Sequence, residues 1–259
     1  MRFNMLSIKK GLVLFLANIT KYCCYPFHFL FPKKRFIIPP SAKPLKKAKY
    51  EQKIPRIIWQ TNFTDKVTLP VYLNYLFNRF MSPTYEHRFV STEGRAEFIK
   101  ANYPKEIFDA YSKIQIGAAQ ADFWRVLVLN KIGGVYLDID GTVVCSLDKL
   151  IKKDDTTVFL NLKGDRICNS FIAAAPNNPH LEKVINQIKK NIDENTEKGV
   201  FGLTGPGVFR KLFNVKDFST FPYKSQFQGG FTNEYFQYID KAEGKWTKQQ
   251  KVTPVIRKD

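Results

Sequence analysis

From residue 54 onward, short apolar runs alternate with amphipathic stretches. Ile54-Pro55-Arg56-Ile57-Ile58-Trp59-Gln60 is apolar and then turns polar, the pattern of a buried first strand. An amphipathic helix is expected over about 69–80, a strand over 87–91, and helices over 93–102 and 104–112, the last opened by Pro104 at a helix start. Residues 118–132 are apolar except for Gln120, Asp122, Arg125 and the closing Asn130-Lys131, and Gly133-Gly134 ends that helix. A strand follows over 135–140, with further strands at 156–162 and 167–175 and helices at 179–192 and near 207–213. Strands alternating with helices predict an α/β fold around a mixed, mostly parallel sheet flanked by helices, occupying residues 54–259.

The first 53 residues follow another pattern. Between Lys9-Lys10 and Lys33-Lys34-Arg35 lie the apolar runs 11–19 and 22–31, separated by Lys21. Neither run reaches the roughly 20 apolar residues of a bilayer-spanning helix. A span would carry Lys21 near its middle, at a cost of about 2.5–3.5 kcal/mol. Residues 1–38 are therefore expected to lie on an anionic membrane surface, with Leu, Phe and Tyr inserted and Lys and Arg at headgroup level. A single N-terminal membrane anchor is the alternative. Residues 39–53, rich in Pro and Lys, read as a linker.

Charge sharpens this division. The chain has 259 residues and a net charge of +18, and residues 1–53 hold twelve basic side chains against the single acid Glu51. So basic a chain invites a nucleic-acid or membrane-binding reading with purely structural carboxylates. The head interleaves Lys with long aliphatic runs and carries no nucleic-acid-binding signature, so no nucleic-acid partner is expected. With 44% hydrophobic residues the chain has material for a core, which excludes wholesale disorder. Cys23, Cys24, Cys145 and Cys168 show no metal-ligand spacing, and a reducing compartment, the cytoplasmic face of the membrane, is expected.

The chemistry concentrates between residues 122 and 140. Asp122 and Arg125 stand at i and i+3 on an otherwise apolar helix and share one face, as a local ion pair or as part of a site. Asp138 and Asp140 alternate with Leu137 and Ile139, so an unbroken strand would point both carboxylates the same way. Two carboxylates held together repel unless a cation lies between them. Mg²⁺ or Mn²⁺, which take carboxylate and phosphate oxygens, are the expected cations.

Asp138-Ile139-Asp140-Gly141-Thr142-Val143 resembles the first motif of the haloacid-dehalogenase-type phosphatases, with Asp138 as nucleophile and Asp140 as acid/base. That motif belongs on the first strand of its fold, whereas about 80 residues of folded body precede it here. A wider set of residues resembles another family. Ala121-Asp122-x-x-Arg125, Gly133-Gly134-x-Tyr136-x-Asp138-x-Asp140, the opening Ile54–Thr61 run, Asn169–Pro176 and Thr204-Gly205-Pro206 are similar to glycosyltransferase family 32, the sugar-binding-region glycosyltransferases with the Asp-x-Asp motif. Its members include initiating α-1,6-mannosyltransferases and bacterial capsule and lipopolysaccharide transferases. The resemblance covers about residues 54–210.

This resemblance implies a GT-A fold and a retaining hexosyltransferase that moves a hexose from a UDP- or GDP-sugar to a lipid-linked glycan, lipopolysaccharide or capsule acceptor. It implies that Asp140 ligates the metal bridging the donor diphosphate, and that Asp138 contacts the ribose and supports the metal. Asp122 and Arg125 are implied to bind the donor sugar and its phosphate side, with Tyr136 beside them. Trp59 would stack on the nucleobase, or else pack in the core. Trp246 would close over the diphosphate, although Lys245 stands where the family has Ser.

Overall fold

The alternating runs assemble as one sheet with helices on both faces. The computed structural model describes residues 2–257, with backbone alone for residues 2–4. Met1 of the expected membrane-associating segment, and Lys258 and Asp259 of the expected catalytic domain, lie outside the described residues. A long helix α1 (Arg2–Leu30) is followed by the short strands β1 (Phe36–Ile37) and β2 (Ser41–Ala42), then β3 (Ile57–Thr61) and β4 (Lys66–Val67). Next come α2 (Leu69–Met81), β5 (Glu86–Val90), α3 (Thr92–Asn102), α4 (Lys105–Lys113) and α5 (Gly117–Ile132), which lead into β6 (Gly134–Leu137) and β7 (Gly141–Val143). The short α6 (Leu147–Leu150) precedes the hairpin β8 (Thr157–Leu162) and β9 (Arg166–Ala174), with α7 (Pro179–Glu194), α8 (Val200–Leu203) and α9 (Pro206–Leu212) after it. Last are β10 (Ser219–Pro222), β11 (Gln226–Gln228), α10 (Glu234–Tyr238) and α11 (Trp246–Val252).

Seven strands form the main sheet in the order β10-β8-β9-β6-β3-β5-β2. The sheet is mixed. β6, β3 and β5 run parallel to one another and β10 runs parallel to β8, while β9 opposes both its neighbours and β2 opposes β5. Parallel character is thus concentrated in β6-β3-β5, whose carboxyl ends lie side by side at Leu137, Thr61 and Val90. Such strand ends are where ligands bind in open α/β sheets.

β6 shows how the layers are built. Val135 and Leu137 pack with Ile58, Phe171 and Phe221 on one face, while Tyr136 joins the larger cluster of α3, α4, α5 and α7 on the other, as a two-residue period demands. α5 is buried nearly all round, which explains why its sequence is apolar on every face. It stops at Gly133 with φ 78°, and Gly134 follows at φ 112°. A Cβ on Gly134 would stand 2.7 Å from the Ile57 carbonyl oxygen, so glycine there lets β6 lie tightly against β3.

Two expectations change. The segment 39–53 is not wholly a linker, because Ser41–Ala42 pairs with Arg88 and His87 as the edge strand of the main sheet, and Tyr50 Oη donates to the Asp148 carbonyl at 2.9 Å. The strand expected over 135–140 ends at Leu137. Asp138 donates its backbone N–H to Ser170 O at 3.0 Å, and Gly141 N–H then closes a turn onto Asp138 O at 2.8 Å. The two aspartates therefore stand on a turn between β6 and β7. Asp140 is brought beside Asp138 by that turn and not by strand alternation.

Candidate active site

The turn is held from beneath by α2. Asn78, fully buried, donates from Nδ2 to Gly141 O at 2.8 Å, and its Oδ1 accepts from Val143 N at 3.0 Å. Asn74 donates to Ile139 O at 2.9 Å and to Gly141 O at 3.0 Å, and accepts from Thr142 Oγ1 at 2.6 Å. Two asparagines one helical turn apart thus satisfy the backbone that an interrupted strand leaves open. From above, Gln228 at the end of β11 donates Nε2 to Asp138 Oδ2 at 2.9 Å and to Asp140 Oδ1 at 3.2 Å.

Arg125 holds Asp138 from the other side. Its guanidinium lies 3.3 Å from Asp138 Oδ1 and 2.9 Å from Asp122 Oδ1, and donates to Asn169 O at 2.6 Å. It lies over the Tyr136 ring, 4.2 Å from its centroid, and the Tyr136 hydroxyl donates to Asp138 Oδ1 at 2.9 Å. Asp122 also accepts from Asn169 Nδ2 at 2.9 Å and from Thr204 Oγ1 at 3.3 Å. Asn169 arrives through a slip in register on β9. Phe159 pairs with Ile172 and Leu160 with Cys168, so residues 169–171 are left unpaired with β8, and Asn169 and Ser170 line the cleft.

Burial strains these charges. Desolvation pushes the Asp122 carboxyl up to about 6 although Arg125 opposes it, and desolvation together with the Asp138 charge pushes Asp140 up to about 6. Asp138 is raised by burial and lowered by Arg125, Tyr136 and Gln228. Burial works against the Arg125 charge, but Tyr136, Asp122 and Asp138 outweigh it and hold the guanidinium above its ordinary value. A cation between the two carboxylates would offset the Asp138 charge that adds to burial in raising Asp140.

These groups line a cleft of about 440 Å³ at the ends of β3, β5 and β6, a volume suited to a nucleotide-sized ligand. Asp122, Arg125, Tyr136, Asp138, Asp140 and Trp246 all line it. Trp59 does not. It is 4% exposed, its Nε1 donates to Gly133 O at 2.9 Å, and its ring meets Trp124 edge-on in the core, so the expected base-stacking role is corrected to a packing one. Its position on β3 turns it towards α5, and Thr61, Asn62 and Phe63 face the cleft instead.

The cation-binding expectation fits the donor set. Asp138 Oδ2 and Asp140 Oδ1 converge on one donor nitrogen, which shows that both oxygens reach a single position. Among the described residues no group of three His, Cys, Asp or Glu side chains is placed to hold a metal. A bound Mn²⁺ or Mg²⁺ would draw its other ligands from phosphate and water, as hard cations at diphosphates do.

Sequence reasoning missed Gln228, Asn74, Asn78 and Arg95, and singled out Thr204 without giving it a role. Arg95, 3% exposed, lines the cleft and donates to Thr61 Oγ1 at 3.1 Å and Thr92 Oγ1 at 2.9 Å. The pair of Asn at i and i+4 on an apolar helix was the one local signal available. Gln228 lies 90 residues from Asp138 and carried none.

Comparisons with known proteins agree with this geometry. Residues 70–157 match the family described as glycosyltransferase sugar-binding region containing DXD motif. An initiation-specific alpha-1,6-mannosyltransferase of Schizosaccharomyces pombe is 27% identical over 191 residues, 62% of this chain and 48% of that protein. Mannosyl phosphorylinositol ceramide synthase CSH1 of Saccharomyces cerevisiae is 28% identical over 139 residues, 53% of this chain and 36% of that protein. The chain thus spans about half or less of the length of these relatives. Among solved structures, the PaToxG glycosyltransferase superposes with a TM-score of 0.51 at 19% identity, over 79% of this chain and 78% of that one, which shows the fold to be GT-A. The matched region includes Asp138 and Asp140, which favours the glycosyltransferase reading of the pair over the phosphatase and non-enzyme ones. With the Asp-x-Asp region on a GT-A sheet and mannosyltransferases among the proteins it matches, the chain is similar to the family-32 glycosyltransferases over the region that carries the site.

Proposed function

We propose that this chain transfers a hexose from a UDP- or GDP-sugar, with retention at the anomeric carbon and with Mn²⁺ or Mg²⁺ held by Asp138 and Asp140. The acceptor in this reading is a lipid-linked glycan, lipopolysaccharide or capsule precursor at the cytoplasmic face of a membrane, against which residues 1–38 lie. The observation that carries the reading is the convergence of Asp138 and Asp140 on one position at the strand ends, with Arg125 behind them. The names of the relatives, which include a mannosyl phosphorylinositol ceramide synthase, favour mannose as the sugar and a glycolipid as the acceptor.

When bound, the cation neutralises charge on the departing diphosphate. The chain's own residues prepare for that. Arg125 and the Tyr136 hydroxyl hold Asp138 Oδ1, which leaves Oδ2 directed towards the position shared with Asp140. Asn169 and Thr204 hold Asp122 against Arg125, so the guanidinium keeps one orientation. Trp246, half-buried at the rim, offers a flat apolar face to a donor in the cleft. The carboxylates lining the cleft are Asp122, Asp138 and Asp140, each already engaged, and this favours same-face displacement over a covalent glycosyl intermediate.

A thermal-shift panel of UDP- and GDP-sugars with and without Mn²⁺ tests the reading. One nucleotide sugar should raise the melting temperature only with the cation present, and Asp140→Asn should abolish both that rise and Mn²⁺-dependent donor hydrolysis. Near-normal hydrolysis by Asp140→Asn would sink the metal assignment. A panel with no shift for any sugar would sink the donor.

A further inference from the structure

Helix α1 is apolar on two faces, and one of them already has a partner in the fold. Its inner face, through Leu6, Val13, Leu14 and Ala17, packs on Val144, Phe227 and Phe231 together with Leu73 and Phe77 of α2. Polar contacts pin the same face. Lys21 Nζ donates to Gly229 O at 3.2 Å, Leu69 N donates to His28 Nε2 at 3.1 Å, and Asn233 Nδ2 donates to Tyr25 Oη at 2.7 Å. Gly229 directly follows Gln228, so α1 supports the strand end that bridges the two carboxylates.

The outer face is bare. Ile8, Leu12, Phe15, Ile19, Tyr22 and Phe29 are all exposed, Phe15 at 63% and Phe29 at 85%. Their spacing of four, three, four, three and seven keeps them on one line along the helix. On α2, exposed Leu76 and Phe80, the latter 74% exposed, adjoin the Leu73 and Phe77 positions that seat α1. A helix apolar all round is ordinarily buried, and an apolar patch of this extent marks an interaction surface.

Charge selects what covers it. No Asp or Glu occurs before Glu51, and exposed Lys9, Lys33 and Lys34 accompany the row. A second copy laid along the row would set Lys against Lys with no acid in between, the reverse of the flanking pairs that stabilise helix dimers. An anionic bilayer supplies the missing countercharge, attracting basic residues near its surface. No described helix is long and apolar enough to cross a membrane.

We propose that the outer face of α1, continued by Leu76 and Phe80, docks in the plane of an anionic lipid bilayer, and that this docking helix is one packed unit with the wall of the donor cleft. This deepens the membrane part of the function proposed above and is independent of the transfer chemistry.

The full-length chain is sedimented with phosphatidylcholine vesicles with and without phosphatidylserine, in the absence of donor and metal. Binding is expected with phosphatidylserine and on the order of tenfold weaker without it. The triple variant Leu12→Glu, Phe15→Glu, Phe29→Glu should stay in the supernatant with an unchanged melting temperature. In two further variants, Phe15→Trp and Phe29→Trp, brominated lipids of graded depth should quench both new tryptophans from one shallow depth. Parent protein that stays in the supernatant, a triple variant that still sediments, or clearly different depths at positions 15 and 29 would each overturn the proposal. So would a parent dimer in light scattering that the triple variant abolishes. Failure here leaves the thermal-shift panel untouched, and failure of that panel leaves vesicle binding untouched.

Discussion

Gln228 Nε2 lies within hydrogen-bonding distance of both Asp138 Oδ2, at 2.9 Å, and Asp140 Oδ1, at 3.2 Å, and occupies the place between two carboxylates where repulsion is greatest. The amide supplies partial positive charge there. Gln228→Ala should therefore lower the melting temperature of the metal-free protein and enlarge the rise produced by Mn²⁺, since the cation then relieves a repulsion that the amide no longer offsets. Melting curves with and without Mn²⁺ check this. An unchanged Mn²⁺ increment would show that Gln228 has no part in cation binding.

Asn78 acts one layer deeper. Its side chain bonds both Gly141 O and Val143 N and is fully buried, so Asn78→Ala leaves the Val143 N–H unpaired and Gly141 O with the Asn74 amide alone. The unpaired N–H is expected to cost about 1–3 kcal/mol in a denaturant titration. Because Gly141 follows Asp140 directly, the variant should also bind Mn²⁺ more weakly at temperatures where it remains folded. A stability loss with unaltered Mn²⁺ affinity would confine Asn78 to folding.

His87 predicts an acid limit to stability. Desolvation, assisted by Arg79, pushes its imidazole down to about 3, and neither ring nitrogen has a hydrogen-bond partner. In the unfolded chain it titrates near its ordinary 6.5. As pH falls below that value the unfolded state takes up a proton that the folded state refuses, so this contribution is complete above pH 6.5 and lost progressively on acidification. The loss between pH 6.5 and pH 5 should be about 2 kcal/mol. His87→Phe, which keeps an aromatic ring against Tyr75, should remove that part of the slope in urea melts at the two pH values. An identical slope in the variant would assign the acid sensitivity elsewhere.

Removal of residues 1–38 should damage the body and not merely release it from a surface. The truncation uncovers Val144, Phe227 and Phe231, removes the Lys21 bond to Gly229 O, and strips β1 from β4. The truncated chain should aggregate, or melt at a lower temperature, while the outward triple variant does neither. Equal melting temperatures for truncated and full-length protein would show that α1 is a detachable appendage.

Much of this molecule could be read along the chain. The pattern of apolar residues placed α2, α3, α5 and α7 within a few residues of where they lie, α5 by an almost unbroken apolar run and the others by a local repeat. Gly133-Gly134 marked the α5–β6 junction because the backbone there needs positive φ. Asp122, Arg125, Asp138 and Asp140 stood out because charge inside an apolar stretch requires a partner, while Tyr136 and the joining of all five into one site came from the family resemblance. Trp59 misled, since an aromatic at a strand end satisfies a core and a ligand site equally, and its bond to Gly133 O was invisible before folding.

By itself the sequence determined the α/β class, the acidic site and the unusual head, all of which follow from periodicity and from the cost of burying charge. Tertiary structure alone decided that β6 stops at Leu137 and that Gln228 spans the pair. It also decided that α2 pins the turn with Asn74 and Asn78, and that α1 belongs to the body on one side while staying bare on the other. Those outcomes depend on which distant segments meet. A helix apolar on two faces does not reveal which one the fold will cover until Val144, Phe227 and Phe231 are in place against it.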